Sequence, residues 1–184
     1  GQRVGMDSVA ALVQRVGLDT PMRPYPSSAI GASDVHPGDF VAAYSVFATN
    51  GLAVEPRYVT RIEDRAGRGV YAAPAPAPQQ VIDPRVAFIV RDMMREAAEL
   101  GTGAAARRIV PKHIAIAGKT GTTNDNADVW FMGVTPTVVA GVWLGFDKPK
   151  TIMRGAAGGS LAAPIWANMV TRFYGDSSAG AWSV

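Results

Sequence analysis

The chain has 184 residues, of which 48% are hydrophobic and 18% are charged. This length and composition predict a single globular domain with a substantial core and exclude a largely disordered chain. The net charge of +3 is small and the arginines are scattered, so no nucleic-acid partner is predicted.

Cysteine is absent, and the two histidines are His36 and His113. Disulfides, thiolate metal sites and a histidine-rich metal centre are therefore excluded, and no metal or cofactor is predicted. No run of about 18 apolar residues occurs, and the first residues lack a signal-peptide pattern. We expect a chain that is itself soluble and reaches a membrane only through an anchor upstream in a parent protein.

Two helices are predicted in the first third of the chain. The first has Asp7 as its N-cap and Gly17 as its stop, and its apolar residues recur at helical spacing: Met6, Val9, Leu12, Val13 and Val16. Because it begins almost at residue 1, we expect the chain to be part of a longer protein. Residues 19–34 predict a surface connection, after which Pro37 begins a second helix that ends at Asn50-Gly51.

A small hairpin and a linker are predicted next. Residues 58–62 alternate like a half-buried strand, and Gly67 to Gly69 would turn the chain into Val70-Tyr71. Residues 72–80, AAPAPAPQQ, predict an extended Pro/Ala linker within the domain.

Asp83-Pro84 predicts the start of a third helix, with a capping carboxylate before a proline. Its predicted core face comprises Val86, Ile89, Val90, Met93, Ala97 and Leu100, and Met93 and Met94 are interpreted as core residues. Gly101 would end this helix. A basic loop with Arg107 and Arg108 would then lead into the next strand.

Residues 113–146 contain three short apolar runs bounded by turn-forming residues, which predicts three strands joined by hairpins, the third spanning 137–146. Residues 154–160 predict a glycine-rich loop. Pro164 would begin a last helix, ended by Gly175, that lays five apolar residues on the sheet: Ile165, Trp166, Met169, Val170 and Phe173. The predicted fold class is α+β, with helices first, then an antiparallel three-strand meander, then a helix packed on it.

The polar cluster Lys119-Thr120-Gly121-Thr122 at the end of the first of these strands is the candidate site. A phosphate-binding P-loop is excluded, because His113 stands where that motif needs glycine and a turn follows where it needs a helix. A calcium loop at residues 124–128 lacks its glycine at Val129 and its glutamate at Thr135, so a polar hairpin turn is favoured there.

The remaining interpretation is a Lys-Thr-Gly triplet that ends an edge strand and faces a nucleophilic serine. Period two places the Thr120 and Thr122 hydroxyls on one face, where they can converge on an anion, while Lys119 starts from the opposite face and reaches round the edge. Gly118 and Gly121 would leave room for a substrate backbone. The alternative is that Lys119 is a solvated lysine at a strand end with no role in a site. The sequence that flanks the triplet must distinguish the two interpretations.

The flanks carry a family resemblance. Residues 117–136, AGKTGTTNDNADVWFMGVTP, closely resemble the third-motif region of class A (bifunctional) penicillin-binding proteins. AGVWLGFD at 140–147 and GGSLAAPIW at 158–166 resemble the family's next strand, loop and terminal helix. Upstream matches lie at residues 31–33 with Pro37, at 42–51 and at Gly101-Thr102-Gly103, so the resemblance covers nearly the whole chain.

The resemblance implies the serine transpeptidase fold shared with β-lactamases, and D,D-transpeptidation of peptidoglycan stem peptides through an acyl-serine intermediate. It implies that Lys119 supplies positive charge and that Thr120, Gly121 and Thr122 form the substrate-binding strand end. The two threonine hydroxyls would bind the substrate carboxylate, and the Thr122 N–H would form half of the oxyanion hole. β-Lactams are implied as ligands. The parent would act at the periplasmic face of the bacterial inner membrane.

The chain also departs from the family pattern. No serine has Lys three residues on or Asn two residues on, so the Ser-x-x-Lys and Ser-x-Asn motifs are absent. Residues 1–184 therefore resemble the C-terminal part of a transpeptidase domain, without the nucleophile, and should be inactive alone. Its third strand should expose an apolar edge. Either the missing N-terminal half or self-association would cover that edge, or the packing differs from the family's.

Two other functions stay open on the sequence. The chain could be a non-catalytic fragment that keeps only the D-Ala-D-Ala-binding edge or pairs with another chain. It could also be part of a related D,D-carboxypeptidase or β-lactamase, although the Asn-Asp-Asn turn and the terminal helix fit the bifunctional family better.

Overall fold

The computed structural model of the chain describes residue 1 and residues 3–182. The helices are α1 (Met6–Arg15), α2 (Pro37–Ala48), α3 (Pro84–Glu99), α4 (Ala104–Ile109) and α5 (Ala163–Tyr174), with a 3-10 turn at Pro26–Ile30 and a π-helical turn at Gly158–Ala162. The strands are β1 (Leu52–Ala53), β2 (Arg61–Glu63), β3 (Gly69–Ala72), β4 (Gln79–Gln80), β5 (Ala117–Thr122), β6 (Val129–Val134) and β7 (Val139–Leu144).

The three-strand antiparallel meander β5-β6-β7 forms the centre of the fold. Thr120 lies opposite Phe131, which in turn lies opposite Val142, so this register gives every second residue of the three strands a common face. The predicted α+β class with a meander between helices is confirmed.

Helices cover both faces of this sheet. On one face, α3 packs its Met94 against Ala117 and Val134, and the Phe40 ring of α2 meets Trp130 at 5.4 Å. On the other face, Trp166 of α5 lies edge-on to Phe131 at 5.2 Å, within a core that includes α4. Because successive strand residues alternate between the two layers, Lys119 and Thr120 begin on opposite sides of the sheet.

The C-terminal end of α5 is tied to the turn between β6 and β7. The Tyr174 hydroxyl lies 2.6 Å from Thr135 Oγ1 and 2.5 Å from Thr137 Oγ1. Thr135 is fully buried, so its hydroxyl depends on protein partners rather than water. These bonds fix α5, and therefore the helical turn that precedes it, relative to the sheet.

Several predictions in the first half of the chain were wrong. Asp7 does not cap α1, which begins after Gly5, and it lies instead in the first helical turn. The hairpin of β2 and β3 is exposed on both faces rather than half-buried, because no other element of the described chain covers it. The predicted linker 72–80 lacks regular secondary structure only at residues 73–78, since Ala72 ends β3 and Gln79–Gln80 pair with β1.

The start of α3 was predicted correctly, and its buried face only in part: Met94 is buried and Val90 packs against the same core cluster, as predicted. The Asp83 carboxylate accepts from the Arg85 N–H, and hydrogen bonds from Arg85, above all from its side chain, lower the pKa of Asp83 to about 2. The buried residues are Ala87, Arg91, Met94 and Ala98, whereas the predicted Val86, Ile89, Met93 and Leu100 are exposed. Small side chains let α3 approach the sheet closely, which turns its larger apolar residues outward.

Two predicted loops are helical. Residues 104–109 form α4, because three alanines favour helix and Arg107 binds the carbonyl oxygens of Val110 and Pro111 beyond its end. The last α-helix, α5, begins at Ala163 beside the predicted Pro164, and a π-helical turn at Gly158–Ala162 precedes it where a loop was predicted. Its buried residues include Trp166 and Val170 as predicted, together with Ala163, Ala167 and Tyr174, whereas Ile165, Met169 and Phe173 are exposed.

The outer edge of β7 pairs with no strand among the described residues, as the sequence predicted. Trp143 and Phe146 beside it are each 41% exposed. With the exposed stripe of α5, this side of the domain presents apolar surface to solvent.

Replacing Tyr174 with phenylalanine should lower the free energy of unfolding by about 1–3 kcal/mol, because the change leaves the buried Thr135 hydroxyl without its tyrosine partner. Thermal and chemical denaturation of the two proteins measure the difference. Tyr25→Phe is the matched control, since Tyr25 is 56% exposed. Equal losses in both variants would contradict this role.

Candidate functional site

A cavity of about 640 Å³ opens where β5 ends. Three parts of the chain form its walls: the turn and helix after α3, the last residues of β5, and the helical turn that precedes α5. The side chains and backbone that define it include Thr102, Arg108, Thr120, Thr122, Gly159 and Ser160.

Thr120 and Thr122 both line this cavity, as their spacing predicted. The Thr122 hydroxyl accepts a hydrogen bond from the Gly158 N–H at 3.1 Å. The Thr120 hydroxyl lies 2.8 Å from that of Thr102. Among the described residues each of these hydroxyls therefore has one hydrogen-bond partner, and each keeps hydrogen-bonding capacity toward the cavity.

Lys119 lies at the free edge of β5, outside the cavity wall. Its side chain is exposed, and Nζ donates to the Thr120 carbonyl oxygen at 2.7 Å. Within the described residues no carboxylate pairs with it. Lys119 therefore lies at the same strand end as the two threonines. As predicted, its side chain starts on the opposite face and reaches round the free edge of β5.

The backbone at the end of β5 also faces this edge. The Thr123 N–H donates to the Asp128 carbonyl oxygen at 3.0 Å, which makes this pair a hydrogen-bonded one. Since such pairs alternate along antiparallel strands, the N–H of Thr122 and the carbonyl of Thr120 point away from β6. A ligand at the strand end can therefore meet both hydroxyls and the N–H of Thr122.

The glycines of β5 have a packing role that the sequence interpretation missed. Gly118 is buried, and a Cβ there would press into the Phe131 ring. Gly121 faces Trp130, where a Cβ would lie 3.2 Å from the tryptophan Cβ. The absence of a side chain at Gly118 thus serves the core of the sheet rather than the approach of a ligand.

Gly158, Gly159 and Thr102 are the site residues for which sequence reasoning assigned no role. A Cβ on Gly158 would collide with the backbone of Trp130 and Gly121, and a Cβ on Gly159 with the carbonyl of Thr102. The signal was present in the sequence, since both Gly-Thr-Gly and Gly-Gly-Ser stood in stretches that resemble the family. Their contacts with β5 depend on the tertiary fold.

The two neighbouring arginines differ in their partners. Arg107 is engaged with Glu99 and with the carbonyl oxygens of Val110, Pro111 and Ile114. Arg108 lines the cavity and has no acidic partner among the described residues. Arg108 therefore brings a positive charge to the wall of the cavity.

The polar segment between β5 and β6 is a hairpin turn, as favoured from the sequence. Thr123 Oγ1 accepts from the N–H groups of Ala127 and Asp128, and Asn126 adopts a φ of 56°. The Asp128 carboxylate accepts from Trp143 Nε1 at 3.0 Å. In the described part of the chain, no group of three or more His, Cys, Asp or Glu side chains is placed to hold a metal ion.

A family model for the penicillin binding protein transpeptidase domain matches residues 2–171. The chain belongs to this family. Penicillin-binding protein 1A of Neisseria gonorrhoeae is 43% identical over 144 residues, which are 76% of this chain and 18% of that protein. The Aquifex aeolicus penicillin-binding protein 1A is 37% identical over 175 residues, 94% of this chain and 23% of that protein.

Solved structures show the same fold. Penicillin-binding protein 1A from Haemophilus influenzae superposes with a TM-score of 0.90 at 24% identity, covering 100% of this chain and 33% of that one. PonA1 from Mycobacterium tuberculosis superposes with a TM-score of 0.82 at 22% identity, covering 97% of this chain and 52% of that one. The resemblance to class A penicillin-binding proteins is confirmed, and the chain spans about a fifth of the length of the curated relatives it matches.

None of the helices in the described part of the chain is long and apolar enough to cross a membrane.

Replacing Gly159 with alanine should lower the free energy of unfolding by about 1–3 kcal/mol, because the new methyl group would collide with the Thr102 backbone. Gly69→Ala is the matched control, since nothing lies within 4 Å of the position its Cβ would take and its φ is not positive. Denaturation curves of the two variants check the difference. An unchanged Gly159→Ala protein would mean that this contact does not constrain the cavity.

Proposed function

We propose that this chain forms one wall of the active site of a peptidoglycan D,D-transpeptidase, and that this wall binds the carboxylate end of a D-Ala-D-Ala stem peptide. The observation that carries the proposal is the pair of hydroxyls of Thr120 and Thr122, which line one cavity at the strand end in a chain of this family. A carboxylate only accepts hydrogen bonds, and each hydroxyl can donate one.

The hydrogen bond from Gly158 supports this role for Thr122. Since the Thr122 oxygen accepts from the Gly158 N–H, its own hydrogen is left to donate into the cavity. The Thr120 hydroxyl forms a hydrogen bond with a second hydroxyl, that of Thr102, at 2.8 Å. Arg108 adds a positive charge to the same wall.

The Thr122 N–H is proposed as half of the oxyanion hole. It points to the free edge of β5, where the scissile carbonyl of a bound peptide would lie beside the strand. A preorganised donor aimed at the developing oxyanion typically contributes about 2.7–4 kcal/mol to transition-state stabilisation.

Lys119 is proposed to supply positive charge next to the carboxylate and the reacting centre. Its ammonium group already lies at the free edge, on the carbonyl of Thr120. Because its contact is with one backbone carbonyl and not a carboxylate, its charge is available to an anionic ligand.

The nucleophile is proposed to come from outside this chain, since no serine within it has Lys three residues on. In the proposed reaction that serine oxygen bonds to the penultimate D-Ala carbonyl carbon, and the peptide C–N bond breaks. The terminal D-Ala leaves with a proton on its nitrogen. An amino group of a neighbouring stem peptide then takes the acyl group and releases the serine.

β-Lactams are proposed to enter the same site, because they resemble D-Ala-D-Ala and carry a comparable carboxylate. Among proteins of similar fold, PonA1 is described in complex with penicillin V, and penicillin-binding protein A of M. tuberculosis as an imipenem acyl-enzyme. These are statements about those proteins, and they support the proposal for this one.

The exposed apolar edge indicates where the rest of the domain would lie. We propose that residues 1–184 are the C-terminal part of the transpeptidase domain and that upstream sequence of the parent covers β7 and the stripe formed by Ile165, Met169 and Phe173. The parent would act in peptidoglycan synthesis at the periplasmic face of the inner membrane.

A binding function without catalysis is the second candidate. It is favoured by one observation: the carboxylate-binding wall is present in this chain while the serine motifs are not. Titration of a D-Ala-D-Ala peptide against the chain alone tests it, since measurable affinity without covalent product would support binding only.

Lys119→Ala in the full-length parent should slow acylation by a fluorescent penicillin by about 100-fold, the magnitude typical of removing one electrostatic contact to developing charge. Gel fluorescence against time measures the rate. Lys112→Ala is the control, because Lys112 is exposed and lies outside the cavity wall.

Failure of the wild-type parent to label at all would contradict the enzymatic proposal. Equal labelling rates of Lys119→Ala and wild type would be consistent with the enzymatic proposal and would contradict the proposed role of Lys119.

A further inference from the structure

We propose that Thr102 is a positioning residue for the carboxylate site: its hydroxyl donates to Thr120 and thereby directs the Thr120 hydrogen toward the bound carboxylate. The inference rests on the proposed function of this cavity and extends it to a residue outside the Lys-Thr-Gly-Thr strand end.

The contact between the two hydroxyls is a hydrogen bond of ordinary length. Thr102 Oγ1 and Thr120 Oγ1 lie 2.8 Å apart, near the most common O–H···O distance. Within the described residues neither side-chain hydroxyl has a second protein partner. Each oxygen carries a single hydrogen, so one of the two must donate to the other.

The presence of an anion decides which hydroxyl donates. If Thr120 donates to Thr102, its single hydrogen is used and it can offer a carboxylate only oxygen lone pairs, which repel it. If Thr102 donates to Thr120, the Thr120 hydrogen is left for the carboxylate. Carboxylate binding through Thr120 therefore requires Thr102 as the donor.

Thr122 shows the same arrangement with a different donor. Its oxygen accepts from the Gly158 N–H, which leaves its hydrogen for the cavity. In this arrangement each of the two hydroxyls that face the cavity accepts one hydrogen bond from the protein. The donor is a backbone N–H for Thr122 and the Thr102 hydroxyl for Thr120. A hydroxyl that accepts one hydrogen bond is polarised and donates a stronger one.

The backbone around Thr102 holds its side chain in place. The Gly101 N–H donates to the Glu96 carbonyl oxygen at 3.2 Å, and the Gly103 N–H to that of Ala97 at 3.0 Å. On the other side, Gly159 packs against the Thr102 carbonyl with no room for a side chain. The donor is therefore positioned before any ligand binds.

The test compares Thr102→Val, Thr102→Ala and Thr102→Ser in the full-length parent. Second-order acylation rates are measured for benzylpenicillin and for its methyl ester, which lacks the carboxylate charge, by competition with a fluorescent penicillin. Valine and alanine should each slow acylation by benzylpenicillin about fivefold to tenfold, the factor expected for the loss of one net hydrogen bond. Serine should restore the rate, and none of the three should alter the slow rate of the ester.

Thr60→Val is the control for removing an exposed threonine hydroxyl away from the cavity, and its rates should equal those of the wild type. Unchanged benzylpenicillin rates in both Thr102→Val and Thr102→Ala would overturn the inference, and so would equal losses for the acid and the ester, which indicate a merely structural role. In either case a wild-type parent that is acylated leaves the proposed function standing. A wild-type parent that is not acylated overturns the proposed function, and the inference with it.

Discussion

The close backbone contacts of Gly158 and Gly159 are the constraint on which the candidate site depends. A side chain on Gly158 would collide with the backbone of β5 and β6, and one on Gly159 with the carbonyl of Thr102. Because both positions lack side chains, the helical turn before α5 and the turn after α3 can close on the end of β5. The cavity is the space that these three backbones leave between them.

The same contacts set the chemistry of the strand end. The approach of Gly158 brings its N–H to the Thr122 hydroxyl, and the turn at Thr102 brings a second hydroxyl to Thr120. The hydroxyls of Thr120 and Thr122 are thereby each held by a hydrogen bond within the protein. Lys119 begins on the other face of the strand and reaches round its free edge. The sheet supplies the alternation that separates these groups, and the helices supply the partners that orient them.

Local sequence patterns predicted most of the helices and strands. The features that were not predicted depend on contacts between residues that are distant in sequence. Turn residues predicted the strands β5 to β7, and the period of two placed Thr120 and Thr122 on the same face of β5. A single capping side chain, Asp83, predicted the start of α3. The buried face of α3 was predicted only in part, because Ala87 and Ala98 are buried together with Met94, whereas Val86, Ile89, Met93 and Leu100 are exposed. The contacts of Gly118 and Thr102 could not be predicted from the sequence, since Phe131 and Thr120 become their neighbours only on folding.

The Thr120 and Thr122 hydroxyls are proposed to bind the carboxylate of the ligand. A crystal structure of the full-length parent acylated by benzylpenicillin tests it most directly. Both threonine oxygens should lie within about 2.5–3.0 Å of the penicillin carboxylate oxygens, as a charge-assisted hydrogen bond requires. A carboxylate that points away from β5, with both hydroxyls bound to other groups, would contradict it.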